Sequence, residues 1–136
     1  MTGNPQATRT RQSPTRPLKV LVDGRIWTDR KGFQSALKGI RDELGDDAML
    51  IVLDRPGVNQ RAVTQWLTWG NPVTLIPSYR PMSGSKTHVN GMVHNQLALD
   101  EGPDLVVVFL MGNCPSATDL AQRAEKMGIE VRRCTA

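Results

Sequence analysis

The chain has 136 residues, 39% of them hydrophobic, and a net charge of +4, which is enough for one domain with a core of its own. No apolar run approaches the ~20 residues of a membrane span, and the N-terminus lacks the apolar stretch of a secretory signal. Cys114 and Cys134 alone give neither a disulfide framework nor zinc spacing. The expectation is a cytoplasmic protein with two free thiols and no membrane partner.

The charge is unevenly placed. Residues 1–17 carry Arg9, Arg11 and Arg16 and no acid, so the remaining 14 basic residues face 13 acidic ones. This segment is polar, with Pro5, Pro14 and Pro17, and cannot bury enough apolar surface to fold alone. It reads as a disordered basic leader capable of a weak contact with nucleic acid. The near-neutral remainder, residues 18–136, reads as one α/β domain and adds little to a nucleic-acid reading.

After the leader, short apolar runs alternate with helical patterns. Val20–Val22 predicts a buried strand. Phe33, Ala36, Leu37, Ile40 and Leu44 keep helical spacing, with Thr28 or Asp29 as the cap and Gly45 as the stop. Met49–Leu53 predicts the second strand. Ala62, Val63, Trp66 and Leu67 mark a second helix that stops near Gly70-Asn71-Pro72, and Val73–Ile76 predicts the third strand. Pro77–Thr87 reads as a loop rich in Pro, Ser and Gly. Val89, Met92, Val93 and Leu97 mark a third helix, ending by Gly102-Pro103. Leu105–Phe109 is apolar throughout, as a central parallel strand covered on both faces requires. Leu120, Ala121, Ala124 and Met127 mark a fourth helix that starts near Ser116 or Thr118, and Ile129–Arg132 predicts a last strand.

Strands alternating with helices imply a parallel sheet with right-handed crossovers. Five strands in the order 3-2-1-4-5 place the first and fourth side by side, with the topological switch point between them. Two junctions then open onto one crevice, where such sheets bind ligands. One is Asp23-Gly24-Arg25-Ile26-Trp27-Thr28-Asp29 and the other Met111-Gly112-Asn113-Cys114-Pro115-Ser116. The loop Asp54-Arg55-Pro56-Gly57-Val58-Asn59 borders them. Helix starts near Gly24–Thr28, Gly57–Asn59 and Gly112–Thr118 converge there, and free N–H groups at helix starts favour anions. Arg25 is the expected anion partner, because its planar fork grips a phosphate or carboxylate with two bonds. Trp27, at the mouth, is placed to stack a base.

The ordered set of motifs resembles the YspA-like branch of the SLOG superfamily, a group that also includes the Lonely Guy phosphoribohydrolases and the DNA-processing protein DprA. Asp23-Gly24-Arg25-Ile26-Trp27-Thr28-Asp29 corresponds to that branch's Gly-Gly-Arg-Asp-aromatic-Thr-Asp. Asp54–Gln60 with Trp66 stands at its second Gly-rich turn, and Gly91-Met92-Val93-His94-Asn95 at its Gly-x-x-Arg-Asn element. Pro103-Asp104, Phe109, Ser116-Ala117, Asp119, Arg123-Ala124 and Gly128-Ile129-Glu130-Val131 follow in the same order. The chain departs from the pattern where Asp23 and Asp54 replace Gly and where Ser116-Ala117 replaces Gly-Thr. It also lacks the Pro-Gly-Gly-x-Gly-Thr-x-x-Glu signature of the Lonely Guy enzymes. The resemblance implies a Rossmann-like three-layer sandwich, a nucleotide or nucleotide-derived ligand and a homo-oligomer. The ligand-binding residues it implies, together with the crevice argument, are Asp23, Gly24, Arg25, Trp27, Asp54, Arg55, Gly57, Asn95, Gly112, Asn113 and Ser116.

No catalytic or metal-binding residue is assigned. Neither Cys has a nearby His, Ser116 has no visible base, and His88 and His94 are six apart, off any common helix face. Two alternatives stay open. Asp23 and Asp54 at strand ends suggest a Mg²⁺-dependent nuclease or phosphohydrolase, although Asp104 falls at the wrong end of its strand and Asp119 inside a helix. The other alternative is a ligand-free protein-interaction domain.

Overall fold

A computed structural model describes residues 16–82, 85–88 and 91–136. The predicted leader therefore lies almost entirely outside the described residues. The elements in chain order are β1 (Lys19–Gly24), α1 (Arg30–Leu44), β2 (Met49–Leu53), α2 (Val58–Thr68), β3 (Val73–Ile76), β4 (Tyr79–Met82), β5 (Ser85–His88), α3 (Gly91–Leu99), β6 (Leu105–Leu110), α4 (Pro115–Lys126) and β7 (Glu130–Thr135).

Five strands form one parallel sheet in the order β3-β2-β1-β6-β7. Counting only the five predicted strands, this is the expected 3-2-1-4-5. Val22 pairs with Val52 on one side and with Val107 on the other, so β1 is the central strand. Alternation along the strands divides the core in two. Val20, Val22, Leu50, Val52, Val107 and Phe109 face Phe33, Leu37 and Ile40 of α1 and Val58, Ala62 and Trp66 of α2. Leu21, Ile51, Leu53, Val106 and Val108 face Ala98 and Leu99 of α3 and Ala117, Leu120, Ala121 and Ala124 of α4. The result is a Rossmann-like three-layer α/β domain.

Two expectations are corrected. The Pro77–Thr87 segment is not simply a loop, because β4 and β5 pair antiparallel as a separate two-stranded hairpin. The buried face of α3 is His94, Asn95, Ala98 and Leu99, whereas Met92 and Val93 are exposed. The start of α4 expected near Ser116 is observed, with Cys114 at the cap and Pro115 at the first helical position. The missing N–H of proline costs nothing at that position, and its fixed φ suits the first turn. At α1 the expected cap holds: the Asp29 carboxylate accepts from the Gly32 N–H at 2.9 Å.

Candidate functional site

The C-terminal ends of β1 and β6 lie side by side, and the loops that leave them diverge around a cleft of about 290 Å³. Asp23, Gly24 and Arg25 form one wall, Arg55 and Pro56 a second, and Cys114, Pro115, Ser116 and Ala117 a third. Gly24 sits here because nothing larger fits. A Cβ at this position would lie 2.8 Å from the Phe109 carbonyl oxygen and 3.2 Å from Val58.

Beneath the cleft lies a polar network that the sequence did not reveal. Asp23 is 2% exposed, at the end of the central strand. Its carboxylate accepts from Arg55 Nη1 at 3.0 Å and from Asn59 Nδ2 at 2.8 Å. Asn59 is also buried. Its Oδ1 accepts from the Gly24 N–H at 3.1 Å, and its Nδ2 also donates to the Leu53 carbonyl at 3.0 Å. Arg55 continues to Asn95 Oδ1 at 2.9 Å, and Asn95 Nδ2 donates to the Ser116 carbonyl and to Asp119, both at 2.9 Å. Asp119 in turn accepts from Arg123 at 2.8 Å. The chain of bonds ties β1, the β2–α2 loop, α3 and α4 together under one cleft.

The electrostatics follow from this wiring. Burial pushes the Asp23 carboxyl above its ordinary value, while Arg55, Asn59 and the Gly24 N–H pull it back only in part. Burial also pushes Asp119 up, but the hydrogen bonds from Asn95 and Arg123 bring it below the usual carboxylate range. Desolvation lowers His94, whose Nε2 lies 2.9 Å from the Ile76 carbonyl. A carbonyl only accepts, so Nε2 carries the proton.

With Asp23 matched by Arg55, the remaining charge on the cleft wall is Arg25, which is exposed and has no ion-pair partner among the described residues. Opposite it is the start of α4. Thr118 N–H is bonded to the Cys114 carbonyl. The Ser116 and Ala117 N–H groups precede it in the first turn, where a helix offers no partner. The cleft therefore presents one free guanidinium and a helix start, and both favour an anion.

Of the predicted residues, Asp23, Gly24, Arg25, Arg55 and Ser116 line the cleft. Asn95 lies just behind it as the hub of the network. Gly57 stands on the other side of the β1–α1 loop, in a groove between α1 and α2. Its φ is +87°, and a Cβ there would collide with the Arg25 carbonyl, which itself accepts from the Val58 N–H at 3.3 Å. Asp54 is exposed and accepts from Ser78 Oγ at 3.3 Å, away from the cleft wall. Gly112 and Asn113 are exposed and do not line it. Trp27 packs edge-on against Phe109, with ring centroids 5.2 Å apart, and its buried indole N–H has no partner among the described residues. The sequence reading placed the segments that carry Pro56, Cys114, Pro115 and Ala117 at the crevice without naming these residues as binding, and it missed Asn59 as the partner of Asp23.

The two carboxylates of the Mg²⁺ alternative are differently employed. Both Asp23 oxygens are held by nitrogen donors, and Asp54 lies outside the cleft lining. Asp104 is at the far end of the sheet, where it receives the Lys19 N–H at 2.8 Å and both Arg16 Nη atoms at 2.9 Å. No group of three metal-ligating side chains occurs among the described residues.

The sequence matches no family model and no curated protein.

Proposed function

We propose that this protein binds a nucleotide or nucleotide-derived small ligand in the β1/β6 cleft, without a catalytic role for the cleft residues. The observation that carries this reading is that Arg25, without an ion-pair partner among the described residues, and the first turn of α4 line one cleft at the switch point of the sheet. The order of motifs that resembles the SLOG superfamily supports it. The cleft volume lies just below the roughly 300–1,000 Å³ of small-molecule pockets, which suits a mononucleotide or a phosphorylated ribose better than a dinucleotide. Pro56, Pro115 and Ala117 offer apolar walls for a ring, and Arg25 with the α4 start takes the phosphate.

Isothermal titration calorimetry with AMP, GMP, CMP, UMP and ribose 5-phosphate tests this reading. At least one probe binds, and Arg25→Ala weakens it on the order of tenfold or more, the loss expected for a charge-assisted hydrogen bond. Failure of every probe to bind, or binding that Arg25→Ala leaves unchanged, overturns the assignment. Mg²⁺-dependent hydrolysis of a phosphodiester that disappears in Asp23→Asn would favour the nuclease alternative instead.

A further inference from the structure

The basic side chains of this fold fall into two groups. Arg16, Lys38, Arg55, Arg123, Arg132 and Arg133 each sit in an ion pair. Of the described basic side chains outside any ion pair, which also include Lys19, Arg25, Arg41 and Lys126, Arg30 and Lys31 belong to the first turn of α1 and Arg61 to that of α2. Between these helices runs an open groove of about 600 Å³. Its polar lining is Arg30, Gln34, Gln60, Arg61, Thr64 and Gln65, with no carboxylate.

Two features of the groove point to an anionic occupant. Arg61 is held in place: it donates to the Trp27 carbonyl at 2.6 Å and lies over the Phe33 ring at 5.0 Å, leaving most of its five N–H donors for another partner. Arg30 and Lys31 occupy the first turn of α1, which contains no acid. Cations at the positive end of a helix dipole are unfavourable, and a single carboxylate, Asp29 at the cap, stands beside the two of them. Asp29 at the cap offsets one of these two positive charges, and the second is left at the helix start, the kind of local departure that accompanies functional sites.

We propose that the α1–α2 groove binds the sugar–phosphate backbone of a single-stranded nucleic acid. From Gly57 to Gln65 the α2 wall runs about 12 Å at 1.5 Å per residue, enough for a few nucleotides in extended form. The pairing of arginines with glutamine and threonine side chains suits phosphate and sugar oxygens. A concave floor between two helices fits a strand better than a flat membrane surface. Phe33 is buried beneath Arg61, so no aromatic platform is offered to the bases, and recognition is of the backbone rather than of sequence. The groove lies across the β1–α1 loop from the nucleotide cleft, and its proposal stands without that cleft.

Fluorescence anisotropy on the full chain tests it, with labelled oligothymidylate and oligouridylate of about 15 nucleotides, a length that spans common single-strand sites. Both are expected to bind at low salt. Arg30→Ala should reduce the slope of log affinity against log salt by about 0.7, one phosphate contact on a single strand. The double variant Arg30→Glu with Gln34→Glu should lose on the order of tenfold or more in affinity by placing two carboxylates beside the phosphates. Arg30→Glu puts an acid where the α1 dipole favours one, so circular dichroism and thermal midpoint should be unchanged or improved, and a loss of binding is then not a loss of fold. Absence of binding to both oligonucleotides at low salt overturns the proposal. So does wild-type affinity in the double variant, or binding lost in Arg9→Ala with Arg11→Ala while the groove variant retains it. Equal competition by polyglutamate overturns it in favour of an acidic polypeptide partner.

Discussion

Arg55→Ala should be among the most damaging substitutions that leave the hydrophobic core intact, and its cost should depend on pH. The Arg55 side chain is 18% exposed and that of Asp23 only 2%, so the pair is largely shielded from solvent. Removing one member of such a pair leaves a buried charge without its counterion, which costs about 3–5 kcal/mol. That is a large part of the ~5–15 kcal/mol that holds a domain folded. Burial already raises the Asp23 carboxyl, and Arg55 is the largest influence opposing it. Without Arg55 the folded-state value climbs further, so the folded protein binds a proton more tightly than the unfolded chain does. The contribution of Asp23 to stability is then fully present below its unfolded value of 3.8 and is lost as pH rises through the elevated folded value. Urea unfolding followed by tryptophan fluorescence, at about pH 7 and about pH 5, measures both effects. The variant should lose about 3 kcal/mol or more near neutrality and recover part of it at the lower pH. In an Asp23→Asn background, the pH dependence should flatten and the cost of Arg55→Ala should shrink. A cost below about 1 kcal/mol, equal at both pH values, would mean the pair behaves like a solvent-screened surface bridge, and the buried-network argument would fail.

Asn59→Ala should cost about 3 kcal/mol in the same unfolding assay, because the Gly24 N–H, one Asp23 oxygen and the Leu53 carbonyl lose a buried partner together. A cost below about 1 kcal/mol would show that water replaces the amide without penalty. Glycine substitutions should separate by sign. Gly57→Ala combines a φ of +87° with a collision against the Arg25 carbonyl and should destabilise by about 2 kcal/mol or more. Gly39→Ala, on an exposed face of α1 with open space around it, should stabilise by roughly 0.5–1 kcal/mol. Thermal midpoints that move in the same direction for both would refute the distinction.

The fold was legible because its signals were hydrophobic ones. The runs Met49–Leu53 and Val73–Ile76 coincide with their strands, and the all-apolar Leu105–Phe109 marked a strand covered on both faces. The errors arose where buried residues are polar. Hydrophobic spacing on α3 favoured Met92 and Val93, but the inward face carries His94 and Asn95, which pay their way through bonds to Ile76, Arg55, Ser116 and Asp119. The β4–β5 hairpin has neither an apolar run nor alternation in Tyr79–His88, so it read as loop. At α4 the start expected near Ser116 lies one residue from the observed Pro115, although the cysteine at the cap gives no pattern to recognise. The cleft could be located because topology fixes where the ends of β1 and β6 meet. Its wiring could not be, because Asp23, Asn59, Arg55 and Asn95 become neighbours only through the packing of distant elements.

The central position of β1 also has a consequence for how the chain reaches this state. Val20 pairs with Leu50 on one side, but its partner on the other is Leu105, about 85 residues later. At roughly 5–20 residues per second, a ribosome needs about 4–17 s to deliver that second neighbour. A half-sheet of β1, β2 and β3 formed before then would present an open edge of backbone donors and acceptors, with Leu21, Ile51 and Leu53 lacking the α4 side of their cover. Chains released before Leu110 should therefore aggregate or be degraded rather than persist as a soluble half, and growth at lower temperature or with more trigger-type chaperone should raise the yield of intact protein.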